Sequence, residues 1–333
     1  MAIINGPVAR YFPLDSGQYA IKPGFYRLGH DFGNGRVDNC LIQLDHQFNS
    51  YRQSKQSARG EDADKYICLT EEGEAMEPAL NRFLLERLTV EYSNLFELQA
   101  EPSQHTLLCR ATGEALIFDP GFKYLQTHNG QGNTPYSSGL DALACQIQED
   151  LALVQIEEDE NRLCAIHLCQ PNHWDPRDKI GRDFVGIHDP VPGMAKINAR
   201  ANQLLLACLD QGPYVRFAWG IATDTQLNHH PHPPTGVDSQ LWRGRRFDRD
   251  KPQAWLRVER QCLWGLPSIS AVVFTIRTYH YAIEQLSAKQ QRLLYQAVAG
   301  MEEEVLAYKG LADSRPDLLE WLQSLYQDHE EAG

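Results

Sequence analysis

Apolar residues recur at every fourth position in several stretches of the chain, which is the spacing of one face of an α-helix. Leu80, Leu84 and Leu88 show this spacing most clearly. Ser287 is a suitable N-cap for a later helix, because its hydroxyl can accept a hydrogen bond from an amide of the first turn. The predicted helices are a polar run at 46–59, residues 78–96, a helix from Ser287 through Leu306, and a helix from Pro316 through Leu325.

Short runs rich in apolar residues predict strands in the middle of the chain. The last two are joined by Leu263–Ile269, whose Gly265 and Pro267 favour a turn, so an antiparallel hairpin is expected. Antiparallel strands with helices gathered around them indicate an α+β fold rather than a doubly wound parallel sheet. The predicted strands are 105–110, 114–119, Leu151–Ile156, Leu163–Gln170, Tyr214–Trp219, Trp255–Gln261 and Ala271–Tyr279.

The length of 333 residues suits one large domain or two ordinary ones, and we expect one domain over residues 1–333. Residues 1–65 are rich in glycine, proline and polar residues and are expected to wrap a core formed by 66–285. Residues 286–328 are expected to form C-terminal helices. The polar segments 126–139 and 224–252 are predicted loops, and a loop as long as the second is usually a lid, a binding segment or disordered.

Composition narrows the classes of partner. The formal net charge of −13 argues against nucleic acid or an anionic membrane as the main partner, since both require clustered Lys and Arg. The eight cysteines form no regular disulfide framework, which favours a reducing compartment. The first residues show no secretory signal, and no apolar run is long enough to span a membrane. We therefore expect a soluble, cytoplasmic protein.

The segment 170–193 is the most informative for chemistry. Asp175 followed by Pro176 predicts the start of a short helix. Phe184 and His188 then extend an apolar stripe to the point where Pro190 stops the helix. An imidazole at the end of an apolar face suits the iron of a flat apolar macrocycle. From spacing alone, a buried or capping histidine without a ligand is the more common interpretation.

A second group of polar residues lies in the predicted hairpin. Strand alternation puts Arg257, Glu259 and Gln261 on one face of their strand, and Arg277 on a shared face with Thr275 in the other. Charged residues within apolar strands either line a pocket or face solvent. Both interpretations remain open from the sequence.

The sequence offers little support for other metal sites or for a nucleotide site. The pattern Cys164-x2-His167-x-Cys169-x3-His173 resembles a zinc ligand set, but on a strand Cys164 points away from His167 and Cys169. Three histidines at 229, 230 and 232 lie in a proline-rich loop, where exposure without a metal is expected. No P-loop, Gly-x-Gly-x-x-Gly or Cys-x-x-Cys-His motif is present, so nucleotide binding and covalent heme are not expected.

Several segments, in order from about residue 10 to 310, resemble the heme-dependent oxidative N-demethylase family, which includes the oxygenase subunit of dimethylamine monooxygenase. The match is weakest in 224–252. The segments are Asp31–Gly35, Gln146–Leu151, Pro171-x-His173-Trp174, Lys179-Ile180-Gly181, Ile187-His188-x-Pro190-Val191-Pro192, Arg257–Gln261 and Phe274–Tyr279.

The resemblance implies a PAS-like core over 66–285 and a bound heme b that activates dioxygen to remove an N-methyl group from a small alkylamine such as dimethylamine, as formaldehyde. Carried over by residue, His188 becomes the proximal iron ligand, with His173 as the alternative. Glu259 becomes a contact for the cationic amine, and Arg257 and Arg277 become partners of the heme propionates.

The resemblance also implies partner subunits. This chain shows no flavin, nicotinamide or iron–sulfur motif, so electrons from NAD(P)H are expected to arrive through separate flavin and iron–sulfur reductase subunits. A rival hypothesis is a PAS-like module that binds heme or a small ligand without turnover, since one fold hosts many functions.

Overall fold

The computed structural model describes residues 2–128, 134–158 and 160–331, and describes 328–331 by their backbone alone. Residues 129–133 of the predicted loop 126–139, and Asp159 of an acidic turn, lie outside the described residues. The helices are α1 Phe48–Asp62, α2 Glu71–Glu91, α3 Gly139–Ala144, α4 Phe184–His188, α5 Ala195–Asn198, α6 Ala201–Gln211, α7 Ser239–Trp242, α8 Ala288–Ala299, α9 Glu303–Lys309 and α10 Arg315–Glu331. The strands are β1 Tyr26–Arg27, β2 Ile67–Leu69, β3 Phe96–Glu101, β4 Gln104–Cys109, β5 Glu114–Phe118, β6 Tyr124–His128, β7 Asp150–Glu157, β8 Glu160–His167, β9 Tyr214–Ala222, β10 Trp255–Leu266 and β11 Ala271–Ala282.

The strands form two antiparallel sheets. The larger sheet has the order β1-β9-β10-β11-β7-β8-β2, and the smaller is the meander β3-β4-β5-β6. The α+β prediction is therefore confirmed. Every strand predicted from the sequence is present, whereas β1, β2, β3 and β6 were not predicted.

Helices cover both faces of the larger sheet. On one face, α2 packs in a core shared with the smaller sheet, and α8 to α10 pack over β9, β10 and β11. On the other face, α4 and α6 pack against β7, β8 and the far end of the hairpin. No helix among the described residues combines the length and apolar character needed to cross a membrane.

Two predicted helices have different bounds in the structure. The helix predicted over 78–96 begins at Glu71, because the Thr70 hydroxyl accepts a hydrogen bond from the Gly73 amide, and Phe96 starts β3 instead. Ser287 is the N-cap of α8, as predicted, within a full capping box. The helix does not continue to Leu306, because the chain breaks at Gly300 and α9 begins separately, so three C-terminal helices replace the predicted pair.

The hairpin turn is shorter than predicted. β10 continues to Leu266 and β11 starts at Ala271, so only Pro267–Ser270 connect them. Gly265 lies within β10, where the backbone of α6 packs closely on the sheet. A Cβ atom at this position would lie 2.0 Å from the Leu209 carbonyl oxygen, which explains why the strand carries glycine here.

The outer edge of β9 is only partly covered by another strand. β1 pairs with it at Tyr214 and Val215 alone. Further along, the Lys309 ammonium donates a hydrogen bond of 2.7 Å to the carbonyl of Trp219 and lies over the rings of Trp219 and Tyr19. The C-terminal end of α9 therefore contacts the open part of this edge.

Candidate functional site

Strands β9, β10 and β11 together present a row of polar side chains on the side of the larger sheet that packs against α4 and α6. The register pairs Arg257 with Gly220 and His280, Glu259 with Ala218 and Thr278, and Gln261 with Arg216 and Ile276. Residues paired directly across an antiparallel sheet share a face. We call this set the polar face: Arg216, Arg257, Glu259, Gln261, Thr278 and His280.

Small residues on β9 leave space above the polar face. Ala218 and Gly220 lie beside Glu259 and Arg257 in the register. A Cβ atom on Gly220 would have no atom within 4 Å, so the space above it is open. In the neighbouring positions of the same strand, Phe217 and Trp219 point to the opposite face. β9 therefore leaves open space on the polar face and places large aromatic side chains on the opposite face.

Many buried polar atoms of this region have no hydrogen-bond partner among the described residues, although such atoms are normally paired in folded proteins. Arg257 is 3% exposed and uses Nη2 for the Gln170 carbonyl at 3.2 Å and the Thr278 hydroxyl at 3.3 Å. The atoms without a partner are Nε and Nη1 of Arg257, Nε of Arg216, Oε1 of Gln261, Nε2 of His280 and both amide atoms of Gln170. Such a concentration of unpaired groups is typical of a ligand site.

Charged residues from other elements surround the polar face and make it predominantly positive. Lys309 and Tyr308 at the end of α9 lie close enough to Glu259 to interact with its charge. Arg245, from the 224–252 segment, is close to Arg257, and burial lowers the pKa of Arg245 to about 10. Burial likewise lowers the pKa of Lys309 to about 8. An anionic group bound here would relieve this excess of positive charge.

His188 is the last residue of α4 and lies at the side of this space, near Arg216. Its Nδ1 lies 2.8 Å from the carbonyl oxygen of Phe184, to which it donates a hydrogen bond. Nε2 then carries the lone pair, and it has no hydrogen-bond partner among the described residues. Burial lowers the pKa of His188, which keeps the imidazole neutral. A neutral imidazole held through one nitrogen is the usual state of a metal-ligating histidine.

The segment before His188 is not the continuous helix predicted from the sequence. Asp175 does cap a turn, but this is a single 3-10 turn over Pro176–Asp178. Gly181, with φ of +75°, breaks the chain direction, and α4 starts anew after Asp183, whose carboxylate accepts from the Gly186 amide. His188 still ends an apolar helix, in contact with the Phe184 ring.

His173 lies between the 224–252 segment and the polar face. Its ring stacks on that of His229 with centroids 5.3 Å apart, and its amide donates to the His229 carbonyl at 3.0 Å. Burial lowers the pKa of His173 to about 2, and the neighbouring charge of Arg245 acts in the same direction. His173 is thus a second neutral imidazole beside the site.

The histidines of the 224–252 segment differ from expectation. His229 and His230 are buried, at 1% and 0% exposure, and only His232 is exposed as predicted. The backbone of His229 forms a parallel bridge with the chain around Asn172, with hydrogen bonds to Pro171 and His173, and this pairing holds His229 in the interior. His229 and Asp224 also form an ion pair or hydrogen bond at 3.1 Å.

Glu259 lies in the centre of the polar face with its side chain 15% exposed. One carboxylate oxygen accepts a hydrogen bond from the Gln261 amide at 3.1 Å, and the other lies 3.4 Å from Arg257 Nη2. The carboxylate therefore remains accessible from the space above β9 while Arg257 and Gln261 hold its orientation.

Arg277 is not brought together with the other predicted site residues. It faces the opposite side of the sheet, is completely buried, and pairs with the Asp45 carboxylate at 2.7 Å. Its guanidinium stacks on Tyr51 and Tyr279, at 3.8 and 4.6 Å from the ring centroids. These contacts hold the N-terminal segment to the sheet, so we do not carry Arg277 into the proposed site.

A groove of about 620 Å³ lies on that opposite side, between β9, the end of β11 and the N-terminal segment. It is lined by aromatic side chains such as Tyr11, Phe217 and Trp219. His280 also lines this groove, but the other residues with unpaired buried atoms named above, Arg216, Arg257, Gln261 and Gln170, do not, so we assign the candidate site to the polar face.

Several residues of the site escaped the sequence analysis. In β9, small or charged residues, including Arg216 and Gly220, alternate with aromatic residues. This pattern predicts a strand with one open or polar face and one apolar face. His280 lies one residue beyond the predicted end of β11. Gln170, His229 and Lys309 come from three distant segments, and no local pattern marks them.

Comparison with known protein families gives one finding. The family model described as haem-dependent oxidative N-demethylase, alpha subunit-like, matches residues 35–319 of this chain. This range includes every residue of the polar face together with His173 and His188.

Proposed function

The chain belongs to the haem-dependent oxidative N-demethylase alpha subunit-like family, and from this premise we propose that it is a heme b-binding oxidoreductase subunit that demethylates a small alkylamine. The net reaction joins a methylamine, dioxygen, two electrons and two protons, and yields the demethylated amine, formaldehyde and water. A dimethylamine-like substrate is the simplest member of this class.

One observation supports the proposal above others: unpaired buried cationic donors and a neutral imidazole border the same open space. Heme carries two carboxylate side chains and an iron that takes a nitrogen ligand. The unpaired N–H groups of Arg257 and Arg216 suit the carboxylates, since a guanidinium can pair with a carboxylate through two parallel hydrogen bonds. Nε2 of His188 suits the iron, and His173 is the alternative ligand. The residues present therefore fit the group.

When bound, heme supplies the binding and activation of dioxygen that oxidation of an N-methyl group requires. The protein's own part is to hold and orient. Phe184 fixes the His188 tautomer through its carbonyl. Glu259 offers a carboxylate to the cationic amine, and its charge becomes available once the heme carboxylates pair with the neighbouring arginines.

The fold proposed for this family is PAS-like, and the arrangement of the larger sheet supports it. Five antiparallel strands have the order β9-β10-β11-β7-β8. The short helices α4 to α6 are inserted between β8 and β9, and α4 and α6 pack over the face that carries the candidate site. A sheet with one face covered by short helices offers a pocket between the two layers.

Reductase subunits complete the proposal. The reaction consumes two electrons, and the chain has no motif for flavin, nicotinamide or iron–sulfur binding. We infer that separate flavin and iron–sulfur subunits deliver electrons from NAD(P)H, and that the protein acts in the cytoplasm, where NAD(P)H is available.

Formaldehyde release tests the function. The full chain, loaded with heme and supplied with a reductant and air, is incubated with dimethylamine, trimethylamine and longer N-methylamines. We expect formaldehyde and the demethylated amine in equal amounts with at least one of them. Heme-loaded protein that binds these amines but releases no formaldehyde from any would instead support the rival ligand-binding role.

Replacing Glu259 by glutamine is expected to weaken amine binding while heme content stays unchanged. The substitution keeps the shape of the side chain and removes its charge. A hydrogen bond to a charged group contributes about 1.5–3 kcal/mol, so the dissociation constant of the amine should rise roughly tenfold or more. The change in the heme absorption spectrum on adding dimethylamine measures it.

Gln261→Ala is the matched control for Glu259→Gln. It removes the hydrogen bond to the Glu259 carboxylate at 3.1 Å but leaves the charge in place. We expect it to affect amine binding much less. Equal spectral titrations for wild type and Glu259→Gln would exclude Glu259 as the amine contact.

A further inference from the structure

A group of exposed arginines lies on the outer side of the 224–252 segment, next to the short helix α7. The formal net charge of the chain is −13, yet residues 243–251 contain four arginines and one lysine, and only two aspartates. The side chains of Arg243 and Arg246 are exposed and have no ion-pair or hydrogen-bond partner among the described residues. Arg249, in contrast, pairs with Glu320 of α10. Arg243 and Arg246 therefore present positive charge to solvent on an otherwise acidic protein.

Apolar side chains are exposed beside these arginines. Leu241 is 80% exposed and Val237 is 43% exposed. Tyr308 at the end of α9 is also exposed, and its carbonyl oxygen accepts a hydrogen bond of 3.3 Å from Arg245 of the same segment. Exposed apolar groups rimmed by charge are typical of protein–protein interfaces, where Tyr and Arg are enriched. We call the following residues the basic surface: Val237, Leu241, Arg243, Arg246 and Tyr308.

The inner side of the segment holds the basic surface in a fixed position. The Trp242 indole donates a hydrogen bond of 2.8 Å to the His230 carbonyl. Phe247 is buried and packs in the core with α8 to α10. The Thr223 amide donates to the Gly244 carbonyl at 2.9 Å. A partner would therefore meet a preformed surface, which reduces the entropy lost on binding.

The basic surface lies directly outside the candidate site. Gly244 packs so closely on His229 that a Cβ atom at this position would lie 2.5 Å from His229 Nε2. The His229 ring stacks on that of His173, with centroids 5.3 Å apart. Burial lowers the pKa of His173 to about 2, and the charge of Arg243 acts in the same direction, so Arg243 lies close to this wall of the site. Two stacked imidazole rings thus lie between the backbone of the basic surface and the polar face.

Charge indicates the kind of partner. An acidic protein is attracted to the basic surface and repelled by the rest of this chain, so long-range forces favour one orientation of encounter. Nucleic acid is acidic as well, but it requires more clustered Lys and Arg than a chain with a net charge of −13 offers here. The exposed Leu241 and Val237 also suit the apolar centre of a protein interface better than a phosphate backbone.

We propose that the basic surface is the docking site of an acidic one-electron carrier protein that delivers electrons to the candidate site. This inference rests on the proposed function, which requires an external supply of electrons. Each encounter transfers one electron from the reduced carrier to the bound cofactor, so two encounters supply the two electrons of the net reaction. Electron-transfer proteins bind through small, transient interfaces, which suits a surface formed by few residues.

Binding tests the docking without turnover. The full chain is titrated by calorimetry with an acidic plant-type [2Fe–2S] ferredoxin as the probe. In the double variant Arg243→Glu with Arg246→Glu, we expect the dissociation constant to rise at least about tenfold at low ionic strength. At about 0.5 M salt the difference should nearly disappear, because the charges are screened.

Arg82→Glu with Arg110→Glu is the matched control. It makes the same change in net charge at two arginines that are 64% and 53% exposed, on α2 and next to the smaller sheet. We expect this double variant to bind ferredoxin as the wild type does. Equal binding by both double variants, or no binding by the wild type, would overturn the proposed docking site. A single-stranded oligonucleotide that binds equally well and is lost in the same variant would also overturn it, by showing a general polyanion surface.

Reduction kinetics connect the basic surface to the candidate site. In the heme-loaded chain, Arg243→Glu with Arg246→Glu should slow reduction by ferredoxin at least about tenfold. Reduction by methyl viologen, a small molecule that needs no docking site, should keep the wild-type rate. Equal effects on both reductants would overturn the docking site even if formaldehyde is released. Wild-type protein that binds ferredoxin in the expected charge-dependent way, but releases no formaldehyde with either reductant, would instead overturn the proposed function.

Discussion

Replacing His188 by alanine is expected to abolish retention of heme through purification. In the proposed site His188 supplies the iron ligand, and Phe184 has already fixed its tautomer at a hydrogen-bond distance of 2.8 Å. An alanine offers no nitrogen donor, and α4 would keep its N-cap at Asp183, which lies at the other end of the helix. The measurement is the ratio of Soret to protein absorbance after expression with sufficient heme. We expect a fall of at least about tenfold, the scale of losing a metal-site contact.

Two further histidine variants show whether the loss of heme is specific to His188. His173→Ala removes the alternative ligand, stacked on His229, and should leave most of the heme bound. His232→Ala removes an exposed histidine and should behave as wild type. Loss of heme in His173→Ala with full heme in His188→Ala would transfer the ligand role to His173. An unchanged spectrum in both would assign the iron to another donor, with His280 the next imidazole on the polar face.

Replacing Arg277 by methionine is expected to lower the free energy of unfolding by about 3–5 kcal/mol. Methionine keeps much of the volume but leaves the Asp45 carboxylate, 2.7 Å from the guanidinium in the wild type, buried without its cation. The stacking on Tyr51 is lost as well. Denaturant unfolding followed by tryptophan fluorescence measures the change in stability.

A double variant separates the charge effect from the packing effect. In Asp45→Asn with Arg277→Met, no unpaired charge remains, so the double variant should be less destabilised than the sum of the two single changes. Arg249→Met is the exposed control, since Arg249 pairs with Glu320 at 2.8 Å on the surface and such pairs contribute less than about 1 kcal/mol. Equal losses for Arg277→Met and Arg249→Met would contradict the structural role of the buried pair.

Alternation and capping made much of the fold predictable. The hairpin of β10 and β11 followed from two apolar runs with a turn between them, and the shared face of Arg257, Glu259 and Gln261 followed from the period of two. Ser287 marked a helix start because hydroxyl caps act within a single turn. These signals are local, so the sequence carries them in full.

The remaining features depend on contacts between distant segments. Arg257 and Arg277 look alike in sequence, yet their register partners put them on opposite sides of the sheet, and only the pairing of β10 with β11 decides this. His229 looked like an exposed loop residue because its burial comes from the chain near Asn172. Gly181 broke a helix that apolar spacing alone would have continued.

The position of Lys309 affects whether a strand from a second copy of the protein can pair with the edge of the larger sheet. In the part of the chain that the structure describes, no strand pairs with the outer side of β9 beyond Val215, and an open strand edge can recruit a strand from a second molecule. The ammonium at the Trp219 carbonyl puts a positive charge where an incoming strand would have to donate an amide. For such a strand, the Trp219 carbonyl would already be occupied as an acceptor, and the Lys309 ammonium would lose its contact with water. We therefore expect Lys309 to disfavour the addition of a strand at this edge.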